Sequence, residues 1–248
     1  MAGGTSAAPI VLGSVTENGS LSVGSGSTAG FLQLSNNGGT SQLSSLNIGS
    51  GSTLDVTNNT VTIKYGSGTD PLGAIVSCLA SGYHGGAWNG TGIDSSAVAG
   101  LNASQRALIY ALGYSDGADG ITNVPSGEIE IMATMAGDAK LQGNVVFGDF
   151  QLLAEYFGQS GGWDQGNFTY GGTVDFGDFQ LLAQDFGANS SALTAGELAS
   201  LNGFAEQFGD RLVANANGGF SLVAVPEPAS LSLLALGGVG LLGGRKRA

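Results

Sequence analysis

Residues 146–158 read VFGDFQLLAEYFG and residues 175–187 read DFGDFQLLAQDFG, ten of thirteen positions identical at an offset of 29. Each copy holds an aspartate, Asp149 or Asp178, behind eleven residues rich in small polar side chains. A loop of this length suits a hard cation: oxygen ligands come from positions 1, 3, 5, 7, 9 and 12, and Gly at position 6 makes the sharp turn. Counting back from Asp149 as position 12 places Asp138 first, then Lys140, Gln142, Gly143 (the turn position), Asn144 and Val146. Counting back from Asp178 places Asn167, Thr169, Gly171, Gly172 (the turn position), Thr173 and Asp175. The candidate ligands are therefore Asp138, Gln142, Asn144 and Asp149 in the first loop, and Asn167, Thr169, Thr173, Asp175 and Asp178 in the second. Lys140 sets a positive charge where a ligand belongs and Gly171 offers no side chain, so any Ca²⁺ held should bind weakly, at ~10⁻⁴–10⁻³ M. The frame is kept more faithfully than the ligands.

Other reactive side chains are few. His84 is the single histidine and Cys78 the single cysteine, so no intrachain disulfide forms. Cys78 sits among small apolar residues as a structural thiol, and His84 lies in a Gly-rich run without a nucleophile elbow. Tyr83 and Trp88 flank that run; such aromatics stack on sugars or, more often, plug a loop against a core. Glu128 and Glu130 alternate on one expected strand, about 7 Å apart, with no cleft implied around them. No catalytic set assembles, and the expectation is that the chain is not an enzyme.

The elements that would position the doubled loop follow from its pattern. Phe150, Leu153 and Phe157, and again Phe179, Leu182 and Phe186, fall on one helical face, and Gly158 and Gly187 stop the two helices. Val145 and Val174 land at position 8, where paired loops join through a short β bridge. With Asp rather than Glu at position 12, residues 138–187 resemble the dockerin type I repeat, which implies a calcium-stabilised module that docks a cohesin-like partner. A third helix starts at Thr194, whose spacing to Glu197 is that of a capping box, with Leu198, Leu201, Phe204 and Phe208 on one face. It should complete a three-helix mini-bundle.

Upstream, SLSVGSGST (20–28) returns as SLNIGSGST (45–53), and Leu54, Val56, Val61, Ile63 and Tyr65 alternate around an Asn-Asn turn. Strand repeats at this interval suggest a β-solenoid, with a β-sandwich as the other reading; they also resemble strand-repeat regions of autotransporter-type surface proteins. Helices are expected at residues 73–83 and 104–114, and strands at 128–137 and 218–225.

At the end of the chain, Pro226-Glu227-Pro228 precedes sixteen uncharged residues (229–244) and then Arg245-Lys246-Arg247. This short apolar span with a basic stop reads as a membrane-sorting helix rather than a core helix, given its four glycines. The three parts in this order resemble a PEP-CTERM sorting signal, which implies processing by an exosortase-type membrane enzyme, export, and transient anchoring before retention at the cell surface or in the extracellular matrix. The first residues lack a charged n-region and an apolar core, so the export signal this tail requires would have been removed from, or edited out of, the start.

Net charge is −12 over 248 residues, and apart from the tail only Lys64, Arg106, Lys140 and Arg211 are basic. Such a body cannot neutralise phosphates, which excludes nucleic acid as a partner. The expected fold is mixed β and α: a β-solenoid-like or β-sandwich-like segment (1–70), a Gly-rich α+β connection (71–136), a helical dockerin/EF-hand-like repeat pair with a capping helix (137–215), a strand or linker (216–224) and the C-terminal sorting segment (225–248). The expected role is non-catalytic adhesion or assembly. The alternatives are a calcium-dependent binding module and a self-assembling filament subunit; extracellular polysaccharide, a cohesin-like protein or further copies would be the partners.

Overall fold

The computed structural model describes residues 9–15, 18–25, 28–104, 108–188, 194–216 and 218–225. The sorting residues Pro226, Glu227, Pro228, Arg245, Lys246 and Arg247 and the apolar span 229–244 lie outside them. Among the described residues no helix is long and apolar enough to cross a membrane.

The first six strands are β1 (Ile10–Leu12), β2 (Gly19–Val23), β3 (Phe31–Leu34), β4 (Thr40–Ile48), β5 (Thr53–Asp55) and β6 (Thr60–Lys64). They alternate between two sheets: β1, β3 and β5 pair in parallel in one, β2, β4 and β6 in the other. The repeated SLSV and SLNI segments lie side by side in β2 and β4, Ser20 against Ser45 and Leu21 against Leu46. Period-two alternation sends Leu32, Leu54, Leu43, Val61 and Ile63 into the space between the sheets, where all are buried. The turns stack as well. Asn37 donates its backbone N–H to Asn58 Oδ1 (2.8 Å), and Asn58 Nδ2 donates to Asn37 Oδ1 (2.7 Å).

No closed solenoid results. The first sheet takes one more parallel strand, β7 (Gly92–Asp94), after α1 (Leu72–Tyr83), while the second continues with antiparallel β9 (Glu128–Met135) and then β8 (Tyr110–Asp116). α1 lies directly on β7: a Cβ at Gly82 would stand 1.8 Å from the Ile93 carbonyl oxygen. α2 (Ser96–Ser104) begins where the Asp55 carboxylate accepts the Ser96 N–H (3.0 Å). Then follow α3 (Phe147–Tyr156), α4 (Phe176–Asp185), α5 (Ala195–Glu206) and a hairpin of β10 (Asp210–Ala214) and β11 (Phe220–Ala224).

One expected element is corrected. Among the described residues of the helix anticipated over 104–114, Ser104 is helical, at the end of α2, and Tyr110–Tyr114 belong to β8. Large residues (Tyr110, Leu112, Tyr114) alternate there with small ones (Ala111, Gly113, Ser115), and the small positions let the repeat approach closely. A Cβ on Gly113 would meet Leu141 Cδ2 at 2.5 Å and Trp163 Nε1 at 2.8 Å. β8 is buried along almost its whole length, which erases the polar/apolar alternation of a half-exposed strand.

Gly82→Ala should destabilise the fold by about 2–3 kcal/mol, because the clash is with backbone and α1 must lift off β7. Urea denaturation followed by circular dichroism measures this; a change below about 0.5 kcal/mol would mean that α1 does not seat on β7 as described.

Candidate functional site

The doubled loops are built alike. Leu141 and Tyr170 both adopt left-handed φ (56° and 57°), as do Gly143 and Gly172 (78° and 81°). The copies close on each other crosswise. Gly137, ahead of the first loop, packs where a Cβ would lie 2.7 Å from Leu182 Cα in α4, and Gly166 does the same at 2.6 Å from Leu153 Cα in α3. The expected bridge between Val145 and Val174 is replaced by the same crossing: Gly187 N–H donates to the Val145 carbonyl (3.0 Å) and Gly158 N–H to the Val174 carbonyl (2.8 Å). α5 seats on this pair as expected, Phe204 lying 5.6 Å from Phe150 and 4.8 Å from Phe179.

The expected ligands divide into two groups. Asp138, Asp149 and Asp178 are fully buried, and each of their carboxylate oxygens accepts a hydrogen bond from the chain itself. Asp138 takes the N–H groups of Gln142 (2.9 Å) and Gly143 (2.7 Å) and the Thr134 hydroxyl. Asp149 takes those of Lys140 (3.0 Å) and Val146 (2.9 Å). Asp178 takes three, from Phe168, Thr169 and Asp175 (2.8 Å each). Asn167 accepts from Gly171 N (3.1 Å) and donates to the Gly161 carbonyl. Gln142, Thr173 and Asp175 are exposed, Asn144 and Thr169 half-buried; Asp175 caps α4 through Gly177 N (2.7 Å).

These residues fit N–H groups better than a calcium ion. The carboxylates brace the turns that a cation would otherwise hold, and the Lys140 ammonium lies over the start of α3, 2.6 Å from where a Gly148 Cβ would be. Among the described residues no three Asp, Glu, His or Cys side chains form a metal-holding group. Burial pushes the Asp149 carboxyl up to about 6, Asp138 adding to the rise while the donated N–H groups and Lys140 oppose it. Burial likewise raises Asp138 and Asp178.

The remaining reactive side chains serve the scaffold. Trp88 is 1% exposed, edge-on to Tyr83 at 5.3 Å and to Tyr170 at 5.8 Å, so it plugs a core and offers no face for a sugar. His84 is exposed, its Nδ1 2.7 Å from Asn89 Oδ1. Glu128 meets Lys64 at 3.4 Å, and burial raises the Glu130 carboxyl. Burial also raises the Cys78 thiol, keeping it from the nucleophilic thiolate form.

Sequence reasoning missed how the second copy joins the sheet. Asp185, fully buried at the end of α4, accepts the Ile109 N–H with both oxygens (3.0 and 3.1 Å), and the Tyr170 hydroxyl donates to the Leu112 carbonyl. The first copy carries Tyr156 and Leu141 at these positions. That difference between two near-identical copies was the readable signal.

Asp178→Ala orphans three N–H groups and should cost about 3 kcal/mol or more, whereas Thr173→Ala should stay within about 0.5 kcal/mol; equal costs would refute the bracing role. Burial lifts the Asp94 and Asp185 carboxyls to about 7 and Asp149 to about 6, all above the unfolded value. The folded chain therefore binds more protons than the unfolded chain between about pH 4 and 7, and stability falls as pH rises through that window. Melting temperatures at pH 5.5 and 8 should differ accordingly, the acidic one higher.

No curated protein and no solved structure matches this chain. Residues 224–247 match the PEP-CTERM protein-sorting motif, so the chain carries the tail of a secreted protein sorted by exosortase.

Proposed function

We propose that this is a non-catalytic protein of the cell surface or extracellular matrix, delivered by its tail and acting in assembly or adhesion. The observation that carries the reading is the sorting motif at 224–247, which begins on the last residue of β11. The folded body thus hands directly to the sorting segment with no spacer. A non-catalytic role is supported by the fate of the reactive groups: the buried carboxylates brace turns, the lone thiol is held protonated, and the single histidine sits on the surface. Exosortase is the partner that the tail requires, and residues 229–244 are the segment that would lodge in the membrane before processing.

Assembly through copies of the chain is favoured over the other partners by one feature. The far ends of both sheets are covered, β7 by α1 and β8 by the repeat, but among the described residues β1 and β2 are edge strands, and Ile10 and Val11 of β1 are 67% and 56% exposed. An unpaired apolar edge is a template for another strand. A calcium-dependent cohesin-like contact has less support, since the loop carboxylates are already engaged.

Deleting residues 225–248 should release the body from the envelope fraction into the medium or leave it unprocessed, read by fractionation and by the intact mass of the mature protein. An unchanged distribution and mass would remove the sorting reading. Val11→Lys should abolish self-association in sedimentation velocity; a chain that is monomeric before the substitution removes the assembly reading alone.

A further inference from the structure

The β10–β11 hairpin is fixed to the body through one face. Leu212 and Leu222 pair across it and are half-buried, and Phe220 lies 6.5 Å from Phe186. A Cβ on Gly219 would stand 1.9 Å from the Gln184 carbonyl oxygen in α4, and Leu212 N–H donates to Asn202 Oδ1 of α5 (3.0 Å). Strand alternation turns Arg211, Val213, Ser221 and Val223 the other way, and all four are exposed. Val225 prolongs the alternation, its N–H donating to the Gly209 carbonyl (2.8 Å), and Phe208 precedes that glycine. Val213, Val223, Val225 and Phe208 are between 39% and 44% exposed. Apolar residues scattered singly over a surface are ordinary, but Val213 and Val223 are diagonal neighbours across this ladder, with Val225 one step on. The outer face carries no carboxylate, and Arg211 on it forms no ion pair among the described residues, in a chain of net charge −12.

What covers this face follows from where the chain goes next. Val225 is four residues from the apolar span at 229–244. Four residues reach at most about 14 Å, and the headgroup layer on one side of a bilayer takes about 5–7 Å of that. With the span in the membrane, the Val225 end of the hairpin is therefore held within about 10 Å of the headgroups. Of the hairpin's surfaces, the outer one gains by contact. We propose that the outer face of the β10–β11 hairpin seats on a phospholipid surface while the tail is lodged there, and so orients the body before processing. The inference rests on the proposed membrane insertion of residues 229–244. The three valines and Phe208 enter the boundary between headgroups and acyl chains, where binding grows with the apolar area buried. Arg211 lays its aliphatic stem along them and holds its guanidinium at the lipid phosphates. The acidic remainder of the body is repelled by anionic lipid, which confines contact to this face.

The test reconstitutes the full chain into phosphatidylcholine/phosphatidylglycerol vesicles with and without brominated acyl chains, since bromine quenches tryptophan at contact. Trp88 and Trp163 are buried, so the parent chain responds little. Val223→Trp and Val213→Trp should each lose about half of the added emission, because an interfacial face lies about 5–10 Å into the boundary. Val11→Trp, on the β1 edge, should lose little. Adding Arg211→Glu to Val223→Trp should weaken its quenching. Circular dichroism checks folding, and either hairpin position reads if the other variant misfolds. Chains that float with the vesicles but are unquenched at both hairpin positions overturn the seat and leave the tail reading intact; a face taken up by a second copy or by the processing enzyme would give that result. Equal quenching at Val11→Trp also overturns it, since the body then has no preferred side. Chains that do not float overturn the membrane reading and the seat with it.

Discussion

The carboxylates of Asp55, Asp138, Asp149, Asp178 and Asp185 are withdrawn from water in a chain whose basic residues outside the tail number four, so countercharge has to come from the backbone. Each is met by N–H groups at turns and helix starts, where unpaired donors concentrate. Asp55 holds Thr57 N and Ser96 N, Asp149 and Asp178 hold the loops that lead into α3 and α4, and Asp185 holds the entry to β8. Remove one of these anions and a turn loses several bonds together. The acidity of the sequence is therefore partly internal architecture rather than surface decoration.

The doubled segment shows the same economy. Its helices do not simply lie side by side: each copy's glycine ahead of the loop fits the other's helix, and each loop's valine carbonyl receives the N–H that follows the other's helix. A single copy would leave both contacts unfilled, which is why the phrase occurs twice. The copies then diverge in how they meet the sheet, Asp185 and Tyr170 bonding to its backbone where the first copy carries Tyr156 and Leu141.

Much of this was legible. The strand repeat at 20–28 and 45–53 became neighbouring strands in register, and the Leu54–Ile63 alternation became core, because period two has one meaning when a single face is buried. The helices of the repeat and their terminal glycines were likewise readable from apolar spacing. β8 was not, because burial on both faces leaves size rather than polarity as the alternating property. At the doubled loops the ligand frame was visible, but whether a carboxylate faces an ion or an amide is decided by the path of the backbone.

The uncovered edge at β1 has a consequence for stoichiometry. A subunit that grows into a fibre must present two complementary faces, one to receive and one to give. Here α1 covers β7 and the repeat packs on β8, while β1 and β2 have no further partner among the described strands, nor do the outer margins of the β10–β11 hairpin. A pairing of β1 with the β1 of a second copy would be face to like face, about a two-fold axis, and would consume that edge of both participants at once. Such a union would leave the β10–β11 hairpin and the sorting segment of each body available, so that one assembly would carry two tails.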